Sequence, residues 1–534
     1  MRNTTSLSRH LGRTTRGLRA MPVRAARLAG VGLVLGWGLA GCTLGPDYQR
    51  PTVPVPAQFG SAPSAAVPPT AAAVPSSLLL APSDALLRQP PQPAKAPTAV
   101  LDSAWWKALG DPALDQLVDT ALRQNQDLRI AAARIQQFDA YLQISRADGG
   151  PRVDADLSRT RDTLSENRQV PLVVGAEPVD NSYIVGLRAS WELDLWGKVA
   201  RGNEAALAEL AASEEARLAL TQSLVSEVVA AYLRLLSLDQ ELALLRETLD
   251  SHRATVRLTQ ARFDGGGSSE LPVVHALSEL QHRLPELPAK EAEVAAQEFK
   301  LNLLLGNPPG AVARNAALAK LSLPGVPAGL PADLLRQRPD VRRAEQDLVA
   351  ANARIGVAKA GYLPTISLTA SNGFASNELS KLSMLTSNFG SFGVNLLGPL
   401  FNSGRTAGLV REAEALQQQA AETYVKAVQT AVVEVEDALV RHQKAGEQRA
   451  LRELQIKTLV AQRELAQRRF DGGAAPYFDV LVAERGLLAG QQMLNQALRE
   501  QATALVAIHK AMGGGWSLPV VTAQRVSPQK LEHD

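Results

Sequence analysis

The sequence has little of several features on which common protein classes depend. Its 534 residues include one cysteine, Cys42, so the chain can form neither an intrachain disulfide nor a thiolate zinc cluster. The 56 lysines and arginines nearly balance the 53 acidic residues, and a net charge of +3 provides no strong field for nucleic acid. No run of about 18 apolar residues occurs outside the N-terminal region, which argues against a bundle of membrane-spanning helices. Membrane-spanning strands remain compatible with the sequence.

Signatures of catalysis and of metal binding are also missing. None of the seven histidines stands in an HExxH arrangement, and the sequence contains no GxSxG elbow and no Walker phosphate loop. We therefore predict a protein that is not an enzyme and that holds neither a metal nor a cofactor.

Residues 1–41 resemble a lipoprotein export signal. Seven arginines and no acidic residue precede the 13-residue apolar stretch 28–40, which is too short to span a membrane. The stretch closes on Leu-Ala-Gly before Cys42, as in the bacterial lipobox, although an ordinary buried cysteine is the alternative. The resemblance implies S-diacylglycerol and N-acyl groups on Cys42, and Thr43 in place of aspartate implies passage to the outer membrane. Either Met1 or Met21 could be the start.

Residues 42–104 have the composition of a tether. Thirteen prolines lie between Pro46 and Pro97, interleaved with alanine, serine and valine. Proline removes a backbone donor and fixes φ, so this stretch cannot sustain a helix. We predict an extended linker between the lipid and the fold.

The rest of the chain is one unit used twice, in a first repeat over 105–320 and a second over 321–516, followed by a tail over 517–534. The segment Arg262-Phe263-Asp264-Gly265-Gly266 recurs as Arg469-Phe470-Asp471-Gly472-Gly473, an offset of 207 residues. Further upstream the offset is 213, so one connection between Pro151 and Gly197 is six residues longer in the first repeat. Such self-similarity indicates a duplicated architecture.

Each repeat combines very long helices with two strands. From Gly197 to Leu271 there is no proline, and apolar residues recur every three or four positions, which predicts a helix on the order of 100 Å long. The second repeat shows the same pattern from Gly404 to Gly472. Within 151–196 and 362–401 the apolar period falls to two, which predicts two strands in each window. The fold class is therefore mainly α with a small transmembrane β part of four strands.

These four strands imply an oligomer. The two windows hold 86 residues and eight of the 23 aromatic residues, an enrichment typical of the aromatic girdles of an outer-membrane barrel. Four strands cannot close a barrel, and lipid does not tolerate open sheet edges. Three copies would supply twelve strands, so we predict a homotrimer.

Several motifs together resemble the TolC-like outer membrane factors, in the lipoprotein branch that includes the OprM and NodT type efflux proteins. The Pro-rich stretch from Ser61 to Val100 is longer than in that family, and Pro285 with Pro288 predicts a kink where the family runs straighter. The motifs that carry the resemblance are Cys42 with Gly45-Pro46-Asp47-Tyr48, Trp105-Trp106, Gly110-Asp111-Pro112-Ala113-Leu114, Trp191-Glu192-Leu193-Asp194-Leu195-Trp196-Gly197, Arg338-Pro339-Asp340-Val341-Arg342 and Pro399-Leu400-Phe401-Asn402-Ser403-Gly404-Arg405.

The resemblance implies a trimeric duct. Its 12-stranded β-barrel would lie in the outer membrane of a Gram-negative bacterium and continue as an α-helical barrel through the periplasm. The partners would be outer-membrane lipid, a periplasmic membrane fusion (adaptor) protein and an inner-membrane efflux pump, and substrate would leave through the lumen. Two alternatives are a periplasmic adaptor or structural coiled-coil lipoprotein, and the outer-membrane duct of a type I protein secretion system.

The same resemblance gives two candidate sites besides Cys42. The repeated turns over 262–273 and 469–480 would contact the adaptor, against the alternative of plain turns. The segment that follows the second turn resembles the constricted entrance of the family, against the alternative of a solvated helix face. Three-fold symmetry would gather its charges into a ring, and the residues of this predicted gate are Tyr477, Asp479, Glu484 and Arg485.

Overall fold

The computed structural model describes residues 43–54, 58–59, 104–163, 165, 179–324, 330–331 and 336–514. The chain divides into two compact units: Met1–Pro46, Arg146–Gly202 and Ile355–Val410 form the first, and Asp47–Ser145, Asn203–Arg354 and Arg411–Asp534 form the second. The described helices are α1 (Pro112–Gln124), α2 (Gln126–Ala147), α3 (Lys198–Asp264), α4 (Leu271–Arg283), α5 (Glu286–Leu305), α6 (Pro339–Ala360), α7 (Arg405–Asp471) and α8 (Tyr477–Ala511). Across the described part of the chain, no helix combines the length and the apolar character that a membrane crossing requires.

The first unit contains a four-stranded antiparallel sheet. Two two-residue strands elsewhere, β1 (Gln58–Phe59) and β4 (Leu330–Pro331), pair with each other. The sheet has the order β2-β3-β5-β6, so each repeat supplies one hairpin and the β3–β5 pair joins the two repeats. This arrangement confirms the four predicted strands, which are β2 (Arg152–Thr163), β3 (Val179–Leu193), β5 (Thr365–Ser376) and β6 (Asn388–Leu397).

Most element lengths follow the duplication that the sequence predicts, although β3 has 15 residues and β6 has 10. Helices α3 and α7 both have 67 residues. Helices α2 and α6 both have 22 residues. Strands β2 and β5 both have 12 residues. The mainly helical fold class with a small four-stranded part is thus confirmed.

The returning helices differ between the repeats because of proline. In the second repeat α8 runs unbroken for 35 residues, from Tyr477 to Ala511. In the first repeat α4 ends at Arg283, and α5 begins after Pro285, which has no N–H to donate to the preceding turn. The break is the kink that the sequence predicts.

Packing in the second unit is organised in two apolar clusters. One is built mainly by the first repeat around Tyr232, Leu235 and Leu301, which are fully buried. The other is built around Leu348 and Ala431 of the second repeat. Each repeat therefore buries its own core, although residues of α8 contribute to both.

Two of the quoted motifs serve the packing of the second unit. Asp111 accepts a hydrogen bond from the backbone N–H of Ala113 at the start of α1 and another from the buried Tyr232 hydroxyl. Arg338, only 5% exposed, donates to the Ala511 carbonyl at 2.9 Å and pairs with Asp340. These contacts cap helices whose terminal backbone groups would otherwise lack partners.

We expect the second unit to lose stability in acid through His509. Its imidazole stacks on Trp105 with the ring centroids 4.6 Å apart. Burial lowers the pKa of His509 from 6.5 to about 4. The unfolded chain therefore binds a proton below pH 6.5 that the folded chain does not bind until near pH 4, so stability falls across this window as the pH falls. Melting temperatures of the purified protein between pH 7 and pH 4 would measure the loss, and His509→Gln should flatten the profile. An equally steep profile in that variant would contradict the assignment.

Candidate functional site

The two repeated turns predicted to contact the adaptor, over 262–273 and 469–480, are called the tips, and the same backbone hydrogen bonds close both. In the first, Gly267 N donates to Arg262 O at 2.8 Å and Gly266 N donates to Phe263 O at 2.9 Å. In the second, Ala474 N donates to Arg469 O at 2.8 Å and Gly473 N donates to Phe470 O at 3.0 Å. Gly266 and Gly473 have φ of 70° and 71°, the left-handed conformation that ends a helix in a Schellman motif. The repeated glycines are therefore needed for the left-handed backbone conformation at each tip.

Side chains at the tips are matched as well. The carboxylate of Asp264 accepts from Gln260 at 2.8 Å, and that of Asp471 accepts from Gln467 at 2.9 Å. The two tips are also joined to each other, because the Arg262 guanidinium lies 4.8 Å from the centroid of the Phe470 ring. Phe263 remains 39% exposed. The tips therefore form one connected surface with an apolar side chain available for contact.

The structure places the four predicted gate residues in three environments. Asp479 is exposed on the first turn of α8 and lines a groove of about 330 Å³ together with Arg469. Tyr477 and Glu484 are more buried and lie one heptad apart on α8. Arg485 forms an ion pair with a residue of helix α4. Apolar side chains make up much of the groove, whose other lining residues are Gln462, Leu465, Ala466, Phe478, Val482 and Ala483.

Burial perturbs the two inner residues. It raises the pKa of Tyr477 to about 12, and the charge of Glu484 adds to the effect. Burial also raises the pKa of Glu484, against the opposing influence of Arg463 and of a hydrogen bond from Ser251. One buried carboxylate oxygen of Glu484 has no hydrogen-bond partner among the described residues. These two side chains are therefore poorly placed to form an exposed charged ring.

Arg485 connects two returning helices. Its guanidinium donates to both carboxylate oxygens of Glu279 on α4, whose side chain is only 13% exposed. His252 of α3 is buried nearby, and its pKa is lowered first by burial and then by the charges of Arg283 and Arg485. The sequence analysis missed Glu279 and His252, since no motif distinguishes them from the other charged and polar residues of these helices.

The N-terminal segment makes specific contacts with the rest of the chain. The sequence predicts only an extended linker there. In the first unit Leu44 N donates to Trp196 O at 3.3 Å, and Arg201 Nε donates to Leu44 O at 3.1 Å. A Cβ on Gly356 would lie 2.4 Å from Leu44 O. The segment therefore passes so close to the helix backbone that only glycine fits at this position. We call residues 43–46 with Gly197, Arg201 and Gly356 the glycine cradle.

A separate contact holds the segment in the second unit. Arg50 donates to both oxygens of Glu345, at 2.6 and 2.7 Å, and Tyr48 donates to the same carboxylate. Cys42, the signal peptide, most of the predicted tether and the C-terminal tail lie outside the described residues. Their predictions are therefore untested by the structure.

A four-stranded sheet with paired 67-residue helices and tip turns defines the class of TolC-like channel protomers. The family model for outer membrane efflux proteins matches residues 117–307 and 330–514. The chain belongs to the outer membrane efflux protein family. It is accordingly an outer-membrane channel component of an efflux system, located in the outer membrane.

Individual relatives agree over nearly the whole chain. The solvent efflux pump outer membrane protein SrpC of Pseudomonas putida is 36% identical over 482 residues, which are 90% of this chain and 97% of the relative. The probable outer membrane lipoprotein SilC of Salmonella typhimurium is 30% identical over 90% of this chain and 96% of its own length. Among solved structures, the Campylobacter jejuni CmeC outer membrane channel has a TM-score of 0.78 at 25% identity, covering 89% of this chain and 95% of that one.

Proposed function

We propose that the chain is a passive exit duct that assembles as a homotrimer. Strands β2 and β6 are the outer strands of the sheet, and each leaves one edge unpaired within the described residues. Such edges are not tolerated in lipid, so the sheet needs neighbouring copies. Three sheets of four strands would close a 12-stranded β-barrel.

Exposed apolar side chains on α7 support the same assembly. They recur at helical spacings along the length of the helix and would be covered by a neighbouring subunit, since patches of this extent are uncommon on the surface of a soluble monomer. The residues are Val433 at 66%, Val440 at 54%, Leu451 at 67%, Leu454 at 59% and Leu465 at 53% exposure.

The proposed partners follow from the tips and from the N-terminus. The connected surface of the two tips would contact a periplasmic adaptor, which would link the duct to an inner-membrane pump. Lipid on Cys42 would anchor the chain. The glycine cradle holds the following residues, 43–46, in the unit that carries the sheet. An anchor there would lie beside the membrane strands.

Cargo selection would belong to the pump and the adaptor. SrpC, the CusC cation efflux protein of Escherichia coli and the OpmQ pyoverdine export protein of Pseudomonas putida are named for very different cargo, yet this chain is 36%, 30% and 32% identical to them. A wide duct through which small molecules pass without specific recognition fits that range. The chain would itself perform no chemistry.

We choose Asp479 for the experiment, since it is an exposed member of the predicted gate and lines the groove between α7 and α8. If Cys42 is acylated, the variant Asp479→Cys contains the chain's only free thiol. We expect a charged thiol reagent to reduce the conductance of the reconstituted variant by at least about half, because three modified side chains would narrow the entrance. The unsubstituted chain, treated in the same way, is the control. If the reagent leaves the conductance unchanged, Asp479 does not line the pore. If the protein shows no conductance at all, it is not a duct.

A further inference from the structure

The two faces of the sheet differ in chemistry. On one face, apolar side chains succeed each other along every strand, and those of β2, β3 and β6 include Leu157 at 82%, Leu187 at 57% and Phe392 at 74% exposure. The other face carries charged residues such as Asp154 and Arg188. In the proposed duct the apolar face contacts lipid and the charged face lines the lumen.

Two arginines break this division. Side chains alternate along a strand, so Arg159 and Arg161 lie on the same face as Val153 and Leu157. In the register of the sheet, Arg159 is opposite Tyr183 and Arg161 is opposite Asn181. The arginines therefore stand on the lipid-facing side, next to an aromatic residue.

Their height along the strands is defined by the register. Helices α2, α3, α6 and α7 all join the sheet at one end, while β2 and β5 end, and β3 and β6 begin, at the other. Ten residues separate Leu193 from Tyr183 on β3, which at the tilt of a membrane strand gives an apolar band about 25 Å tall. Arg159 lies at the boundary of this band remote from the helices, and Arg161 lies one row further out.

The lumen-side arginines have carboxylate partners, which the described residues do not supply to Arg159 or Arg161. Arg152 lies 3.0 Å from Asp154, and Arg188 lies 3.9 Å from Asp156. No ion pair joins Arg159 or Arg161 to another residue that the structure describes, although the Arg159 guanidinium lies 5.5 Å from the centroid of the Tyr183 ring. Both side chains are exposed.

The fold itself does not require the two arginines. By the offset of 213, their counterparts in the second repeat are Asn372 and Phe374, in a strand of the same length and register. A pair of exposed cations at the edge of an apolar band would instead attract an anion from the membrane surface.

We propose that Arg159, Arg161 and Tyr183 bind phosphate groups of the anionic glycolipid in the outer leaflet of the outer membrane. The planar guanidinium group matches phosphate oxygens with two parallel donors, and tyrosine is enriched at the level of lipid headgroups. Three-fold assembly would repeat the site around the barrel. The assignment of this sheet end to the outer leaflet rests on the proposed function.

The test compares two double variants of the full-length, reconstituted protein in a binding titration with diphosphoryl lipid A. Arg159→Gln with Arg161→Gln should weaken binding by about thirtyfold, because each surface arginine contributes about 1 kcal/mol toward anionic lipid and every 1.4 kcal/mol is a factor of ten. Arg152→Gln with Arg188→Gln removes the same charge from the lumen face and should leave the affinity nearly unchanged. Dephosphorylated lipid A should bind the unsubstituted protein about as weakly as diphosphoryl lipid A binds the first variant.

Three results would overturn the proposal: equal binding by both double variants, equal binding of the dephosphorylated lipid, or competition by inorganic phosphate at the same concentration as the lipid. If the first double variant does not assemble, Arg161→Gln alone tests the same site with a smaller loss, about fivefold. Conductance measured in parallel separates this proposal from the duct. Normal conductance with unchanged lipid binding overturns only the lipid site.

Discussion

Replacing Gly356 by alanine is expected to release the N-terminal segment from the glycine cradle. The added Cβ would lie 2.4 Å from the Leu44 carbonyl oxygen and 2.8 Å from a carbon of Arg201, and a backbone oxygen cannot move aside without shifting the segment. We expect a loss of about 1–3 kcal/mol, the range for overpacking a closed site. Alanine in place of glycine within a helix otherwise stabilises the fold by about 1 kcal/mol. A loss of stability in this variant can therefore be attributed to the clash with Leu44.

Gly408 provides the matched control for this substitution. It lies in a helix of the same unit, and a Cβ there would meet nothing within 4 Å. Thermal unfolding should show Gly356→Ala below and Gly408→Ala at or above the unsubstituted protein. Cleavage by chymotrypsin after Tyr48 should also become faster in Gly356→Ala alone. Two variants with the same unfolding temperature and the same cleavage rate would show that the cradle does not hold the segment.

Reversing the charge of Arg485 is expected to open the periplasmic entrance. In Arg485→Glu, a second carboxylate would face Glu279, whose side chain is only 13% exposed, so α8 and α4 would repel each other where they are now joined. A like-charge contact costs enough to raise the open fraction about tenfold, and mean conductance should rise with it. Planar-bilayer recordings of the reconstituted protein would measure the change.

The exchange of both charges tests whether the pair itself keeps the entrance closed. Glu279→Arg combined with Arg485→Glu restores an ion pair and should return conductance toward that of the unsubstituted protein. Arg441→Glu, which disrupts an exposed pair with Asp437 on α7, should leave conductance unchanged. High conductance in the exchanged variant, or an equal rise in the Arg441 control, would contradict the role of the Arg485 and Glu279 pair.

The sequence was sufficient for the elements of the fold because they depend on local patterns. Alternation in steps of two predicts β2 through its apolar Val153 and Leu157, and the spacing of three and four predicts α3. The repeated Phe-Asp-Gly-Gly turns predict both tips, since a left-handed residue is needed wherever such a helix ends. Duplication then predicts the equal lengths in the two repeats.

The arrangement within the sites depends on contacts between distant parts of the chain. Glu279 and Arg485 meet across 206 residues, and nothing in the immediate sequence of either indicates the other. From the sequence alone, Gly356 is only a residue that weakens a helix. The structure shows that the backbone of Leu44 passes against it and leaves no room for a side chain. The predicted gate rests on its resemblance to a family motif, and the structure distributes its members because helix position, not adjacency in sequence, decides which side chains share a face.

Electron microscopy of the purified full-length protein would show whether several copies close the sheet together. We expect three-fold symmetric particles in which β2 of each subunit pairs with β6 of the next, giving one closed ring of twelve strands. A monomer with a free sheet edge, or a ring with another number of strands, would contradict the account.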